Sequence, residues 1–103
     1  MELTGIREQG VLTILLKGEL DHHNAEQART GLDSLLSDKG IKELILDLSG
    51  VSFMDSSGVG VILGRYRLLS GRRGVMRVTG ASRSIEKILK MAGVYALLER
   101  KAI

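Results

Sequence analysis

Hydrophobic residues along the chain fall into runs of two different periods, and the alternation between them lays out the elements. Val11-Leu12-Thr13-Ile14-Leu15-Leu16-Lys17-Gly18 is β-branched and mostly apolar, the pattern of a strand. The turn Glu8-Gln9-Gly10 before it predicts a hairpin with residues near Leu3 to Glu8, so the sheet should start antiparallel. Ala25, Ala28, Leu32, Leu35 and Leu36 then fall at helical spacing, with Asp21 or Asn24 as N-cap and Gly40 as the stop. Leu44-Ile45-Leu46-Asp47-Leu48 reads as a strand with both faces buried, and Val59 to Leu69 as a helix. Gly71-Arg72-Arg73-Gly74 ends that helix, Val75-Met76-Arg77-Val78-Thr79 alternates as a strand, and Ser82 or Ser84 caps a helix carrying Ile85, Ile88, Leu89 and Ala92. Gly93 closes it, and the pattern of Val94 to Ile103 does not choose between a short strand and a helical turn. The order β-β-α-β-α-β-α predicts an α/β fold: a mixed sheet with helices packed on it and right-handed crossovers between its parallel strands.

Between the strand at Leu44–Leu48 and the next helix, the segment Phe53-Met54-Asp55-Ser56-Ser57-Gly58-Val59-Gly60 places hydroxyls and glycines where a packed core would not choose them. One capping residue satisfies a helix start and contributes about 1 kcal/mol. Asp55, Ser56 and Ser57 in succession exceed that need, so the turn presents side chains outward. A phosphoryl group on Ser56 would lie at the positive end of the helix, beside N–H groups without helical partners, where about two negative charges are tolerated. The fold should survive such a modification, whereas a partner surface fitted to the neutral turn would have to bury an unpaired dianion.

Gly58, Gly60 and Gly64 lie within the helix, where each costs about 1 kcal/mol relative to Ala. Gly60 and Gly64 share one face, letting the protein's own sheet or a docked partner approach closely. The own sheet is at least as good a reading for Gly64, and partner access is the expectation for Gly58. The segment Glu19-Leu20-Asp21-His22-His23 follows the second strand and should reach the serine turn, with Asp21 a polar contact for a partner and a like-charge neighbour of a phosphorylated Ser56.

Composition removes several classes of chemistry. The 103 residues, 44% hydrophobic, suffice for one domain spanning 1–103. With no cysteine, disulfides and thiolate chemistry are excluded. The start of the chain shows neither a basic segment nor a following apolar one, and no apolar run is long enough to span a membrane, so a cytoplasmic protein without membrane contact is expected. Residues 1–51 carry five Lys/Arg against nine Asp/Glu and residues 52–103 carry ten against three, so a net −4 gives way to +7. That polarity could steer an acidic partner, but only Phe53, Tyr66 and Tyr95 are available to stack on bases, and nucleic-acid binding is not expected. The glycine spacing fits neither the dinucleotide fingerprint nor a P-loop, Gly-x-Ser-x-Gly is absent, and Asp21, His22 and His23 are too close in sequence to converge on a metal without further ligands.

Gly18-Glu19-Leu20-Asp21-His22-His23, followed by Ser52-Phe53-Met54-Asp55-Ser56-Ser57-Gly58-Val59-Gly60-Val61-Ile62-Leu63-Gly64-Arg65-Tyr66, resembles the STAS-domain anti-sigma factor antagonists over nearly the whole chain, with the sporulation branch as the nearest match. The resemblance implies a non-enzymatic partner switch. The unmodified form binds an anti-sigma factor that is also an ATP-bound serine kinase, which frees a sigma factor. The kinase phosphorylates Ser56, the serine directly after Asp55, and lets go; a metal-dependent serine phosphatase restores the active form. ATP and its magnesium belong to the kinase, so no cofactor or metal is expected here. The implied contact set is Asp21, His22, Asp55, Ser56, Ser57, Gly58 and Gly60, and the free chain is expected to be a monomer. Two features depart from the pattern: Glu99-Arg100-Lys101-Ala102-Ile103 lacks the longer C-terminal helical segment expected, and Arg72-Arg73 is unusually charged. Two rival readings remain: a STAS module in a stress-signalling scaffold or transporter complex, and a nucleotide-binding protein.

Overall fold

The computed structural model describes residues 1–99. In chain order the elements are β1 (Glu2–Glu8), β2 (Val11–Leu20), α1 (Ala25–Leu35), β3 (Glu43–Met54), α2 (Ser56–Gly71), β4 (Val75–Thr79), α3 (Arg83–Met91) and α4 (Val94–Glu99). The four strands lie side by side in sequence order. β1 pairs antiparallel with β2 through the predicted hairpin, while β2–β3 and β3–β4 are parallel, as expected when α1 and α2 are the connections. The undecided tail resolves into α4 as far as Glu99, and Arg100 to Ile103 lie outside the described residues.

One face of the sheet carries the core. Leu12, Ile14 and Leu16 of β2 and Leu44, Leu46 and Leu48 of β3 are buried against Ala28, Leu32 and Leu36 from α1 and its end, Ile62 and Leu69 from α2, and Ile85 and Leu89 from α3. Each of these leucine and isoleucine side chains contributes roughly 1.5–3 kcal/mol by leaving water. The expectation that Leu44–Leu48 is covered on both sides does not hold. Ile45 and Asp47 are only half-buried, and their neighbours on that second face, Leu15 and Val75, are each 37% exposed. A short apolar run cannot by itself distinguish a strand covered once from one covered twice.

β3 is also far longer than its apolar run, because pairing with β2 continues through Met54 past two register shifts. A side chain at Gly50 would come within 2.8 Å of the Leu16 carbonyl oxygen, so the glycine lets the strands stay close where the ladder bulges. α1, in turn, stops at Leu35 rather than running on to Gly40. The Arg72 guanidinium takes over there, donating to the Leu36 carbonyl and, at 3.2 Å, to the Asp38 carbonyl. The charged Arg72-Arg73 turn is therefore partly structural: it ties the end of α2 to the end of α1. Arg73 itself adopts φ 60°, completing the reversal into β4.

Candidate functional site around the first turn of α2

The last paired residues of β2 and β3 are Leu20 and Met54, so the two chain segments that follow leave the sheet side by side at the carboxyl ends of parallel strands. One is Asp21-His22-His23 and the other Asp55-Ser56-Ser57. They are joined by the Asp55 carboxylate. Its Oδ1 accepts from the backbone N–H of Ser57 at 2.9 Å and of Gly58 at 3.3 Å, capping α2, while Oδ2 accepts from the His22 N–H at 3.1 Å. Asp21 turns inward on its own loop, where its Oδ1 accepts from the Asn24 N–H at 3.0 Å. Asn24 is the residue before α1, but its side chain does not cap the helix; its amide donates instead to the Glu19 carbonyl.

With the capping role taken by Asp55, neither serine hydroxyl is needed to start the helix. Ser56 is exposed and Ser57 half-buried, and among the described residues neither hydroxyl has a hydrogen-bond partner within the chain. Two depressions meet here. A groove of about 390 Å³ runs between α2 and α3, lined by Asp55, Ser56, Val59, Ile88, Met91 and Ala92. On the other side a more polar cleft of about 540 Å³ lies between α1 and α2 and includes His22, His23, Arg29, Ser57 and Gly60. Ser56 thus borders apolar side chains, and Ser57 borders charged and polar ones.

Asp55 also changes the electrostatic expectation. It occupies two of the donors at the start of α2, so fewer remain for a phosphate on Ser56 than the bare count of helix ends suggested, and its carboxylate is a like-charge neighbour. The favourable helix dipole and this repulsion oppose each other.

The first three glycines of α2 divide in a way the spacing did not reveal. Gly58, expected to give a partner access, is buried: a Cβ there would lie 2.4 Å from the Leu20 carbonyl oxygen and 2.8 Å from Met54 Cγ. Its reason is intramolecular, since α2 must start hard against the end of β2. Gly60 and Gly64 instead face open space, with nothing within 4 Å of an added Cβ, so the own-sheet reading of Gly64 is wrong.

Sequence reasoning missed Arg65. It is 7% exposed in the interface of α1 and α2, its Nε 3.0 Å from Asp33 Oδ1 on α1. Burial, opposed by the Asp33 charge and reinforced by Arg29, lowers its pKa from the ordinary arginine value. A helical-wheel count would have found it, because Arg65 falls four residues after buried Val61 and four before buried Leu69.

Asp21, His22 and His23 do not assemble a metal site: among the described residues no group of three or more His, Asp and Glu side chains is placed to hold an ion. Nor, among them, is any helix long and apolar enough to cross a membrane.

The family model described as STAS domain matches residues 5–101. The chain is 38% identical over 90 residues to a protein of Paenibacillus polymyxa named anti-sigma F factor antagonist, covering 87% of this chain and 77% of that one. Among solved structures, the anti-sigma factor antagonist SpoIIAA in its unphosphorylated form aligns with a TM-score of 0.72 at 32% identity, over 87% of this chain and 83% of that one. The Bacillus cell fate determinant SpoIIAA in the phosphorylated form aligns with a TM-score of 0.74 at 31% identity, over 93% and 87%.

Proposed function

The chain belongs to the STAS domain family, and from that premise we propose that it is an anti-sigma factor antagonist acting in the cytoplasm, switched off by phosphorylation of Ser56. The observation that carries the reading is the position of Ser56. It is exposed in the first turn of α2, relieved of capping by Asp55, and set on the rim of an apolar groove. The unmodified protein docks an ATP-bound anti-sigma factor kinase over this turn, the Asp21-His22 loop, and the open α2 face at Ser57 and Gly60, and the sigma factor leaves. Gly58 serves by seating the turn.

Phosphate transfer to Ser56 then puts about two negative charges where the partner must desolvate the rim, and the complex separates. Asp55 adds a fixed negative charge beside it. Nothing in the core needs to move, because Ser56 is exposed and its hydroxyl takes no part in capping α2. A serine phosphatase resets the switch. The role is binding rather than catalysis, and it draws on no cofactor of the chain's own. That a relative, SpoIIAA, occurs in phosphorylated and unphosphorylated forms supports the reading. Incubation with the cognate kinase and ATP, followed by peptide mass spectrometry, should place one phosphate on Ser56, and none on a Ser56→Ala variant. Phosphate on Ser57 or elsewhere would overturn the assignment.

A further inference from the structure

Met91, the last residue of α3, is 80% exposed and lines the apolar groove opposite Ser56 and Val59. Met54 and Met76 are 2% and 3% exposed in the core, and Met1 is half-buried. The chain has no cysteine, so the Met91 thioether is its most accessible oxidisable sulfur. We propose that Met91 is an oxidation site through which peroxides block docking at the groove, a second switch on the same surface; this rests on the reading of that surface as the partner's.

In the step, the thioether sulfur attacks one oxygen of hydrogen peroxide. An S–O bond forms, the O–O bond breaks, and the departing hydroxide takes up the remaining proton as water. Sulfur loses two electrons and peroxide gains them. The product replaces a flexible apolar side chain with a polar sulfoxide beside Val59, Ile88 and Ala92, and a docking partner fitted to that apolar surface would have to desolvate it. The core is untouched, since Met91 stands outside it. A methionine sulfoxide reductase supplied with a dithiol reverses the change, returning two electrons and releasing water.

The protein is treated with a small excess of hydrogen peroxide, the sulfoxides are located by peptide mass spectrometry, and binding to the ATP-bound cognate kinase is titrated before and after. The expected result is oxidation of Met91 ahead of Met54 and Met76, an unchanged melting temperature, affinity weaker by about tenfold or more, and recovery after reductase and dithiol. Met91→Leu, compared only with itself, should show no change on peroxide treatment. Equal oxidation of the buried methionines, or undiminished binding by protein fully oxidised at Met91, would overturn the proposal while leaving the proposed function standing. Failure of the untreated protein to bind would instead overturn the proposed function, and this inference with it.

Discussion

Replacing Gly60 and Gly64 by alanine should make the protein more stable, while the same change at Gly58 should make it less so. Gly60 and Gly64 are interior to α2, and an added Cβ at either meets nothing within 4 Å. The substitution therefore recovers the helix propensity that glycine forfeits, about 1 kcal/mol each, with no packing penalty. In a domain of this size that corresponds to a rise of roughly 4–8 °C in melting temperature per substitution. Gly58 gains the same propensity, but its Cβ would press to 2.4 Å on the Leu20 carbonyl oxygen, a backbone atom that cannot swing aside. Overpacking of that kind costs about 1–3 kcal/mol, and a clash against backbone belongs at the upper end, so the net result is destabilisation by about 1–2 kcal/mol after the gain in propensity. Urea denaturation with an unchanged slope, alongside thermal melts, measures both signs. A destabilised Gly60→Ala, or a Gly58→Ala as stable as the parent, would refute the division of the glycines. If the open α2 face docks the partner, Gly60→Ala should also bind the cognate kinase more weakly although it is better folded.

Asp55→Ala removes the α2 cap and the tie to His22, and should cost about 1–2 kcal/mol with faster amide exchange at Ser57, Gly58 and His22, read by NMR. Arg72→Ala strips the carbonyls after α1 of their donors and should lower stability by about 1–2 kcal/mol, with exchange at the end of α1 the diagnostic readout. Asp38 and Asp47 are held below the usual carboxylate range, Asp38 chiefly by the Arg7 guanidinium and Asp47 by the Ser49 backbone N–H. Because both folded values are depressed, their contribution is present above the unfolded value and disappears as the carboxyls protonate, so stability should fall as pH drops below about 4. Asp38→Asn should flatten that acid-side loss in pH-dependent denaturation; an unchanged slope would remove Asp38 from the explanation.

The elements whose residues face the core were readable from spacing alone. α3 is the clear case: Ile85 and Leu89 are buried as spaced, Ser82 accepts from the Ile85 N–H at 3.3 Å, and Gly93 follows with φ 77°. The serine turn was readable for a related reason, since Asp55, Ser56 and Ser57 in succession exceed what one helix cap needs, whereas Gly58 beside them is set by packing against Leu20. What spacing could not supply was anything decided by a distant neighbour. Whether Gly58 or Gly60 faces the sheet depends on where Leu20 ends, the exposed second face of β3 depends on the absence of covering helices among the described residues, and Arg72 acts on carbonyls more than thirty residues away. Asp55 was visible as a capping residue, but its bond to His22, which joins the two loops into one site, depends on the register that pairs Leu20 with Met54.

The proposed switch is that phosphate on Ser56 breaks an interface without breaking the fold. Its most direct test is to titrate the ATP-bound cognate anti-sigma factor with unmodified protein and with protein phosphorylated only at Ser56, recording the melting curve of each. Binding by the first, loss of binding by the second and nearly coincident melts are the expected result. Equal binding by both forms, or a phosphorylated form that fails to bind because it has unfolded, would contradict it.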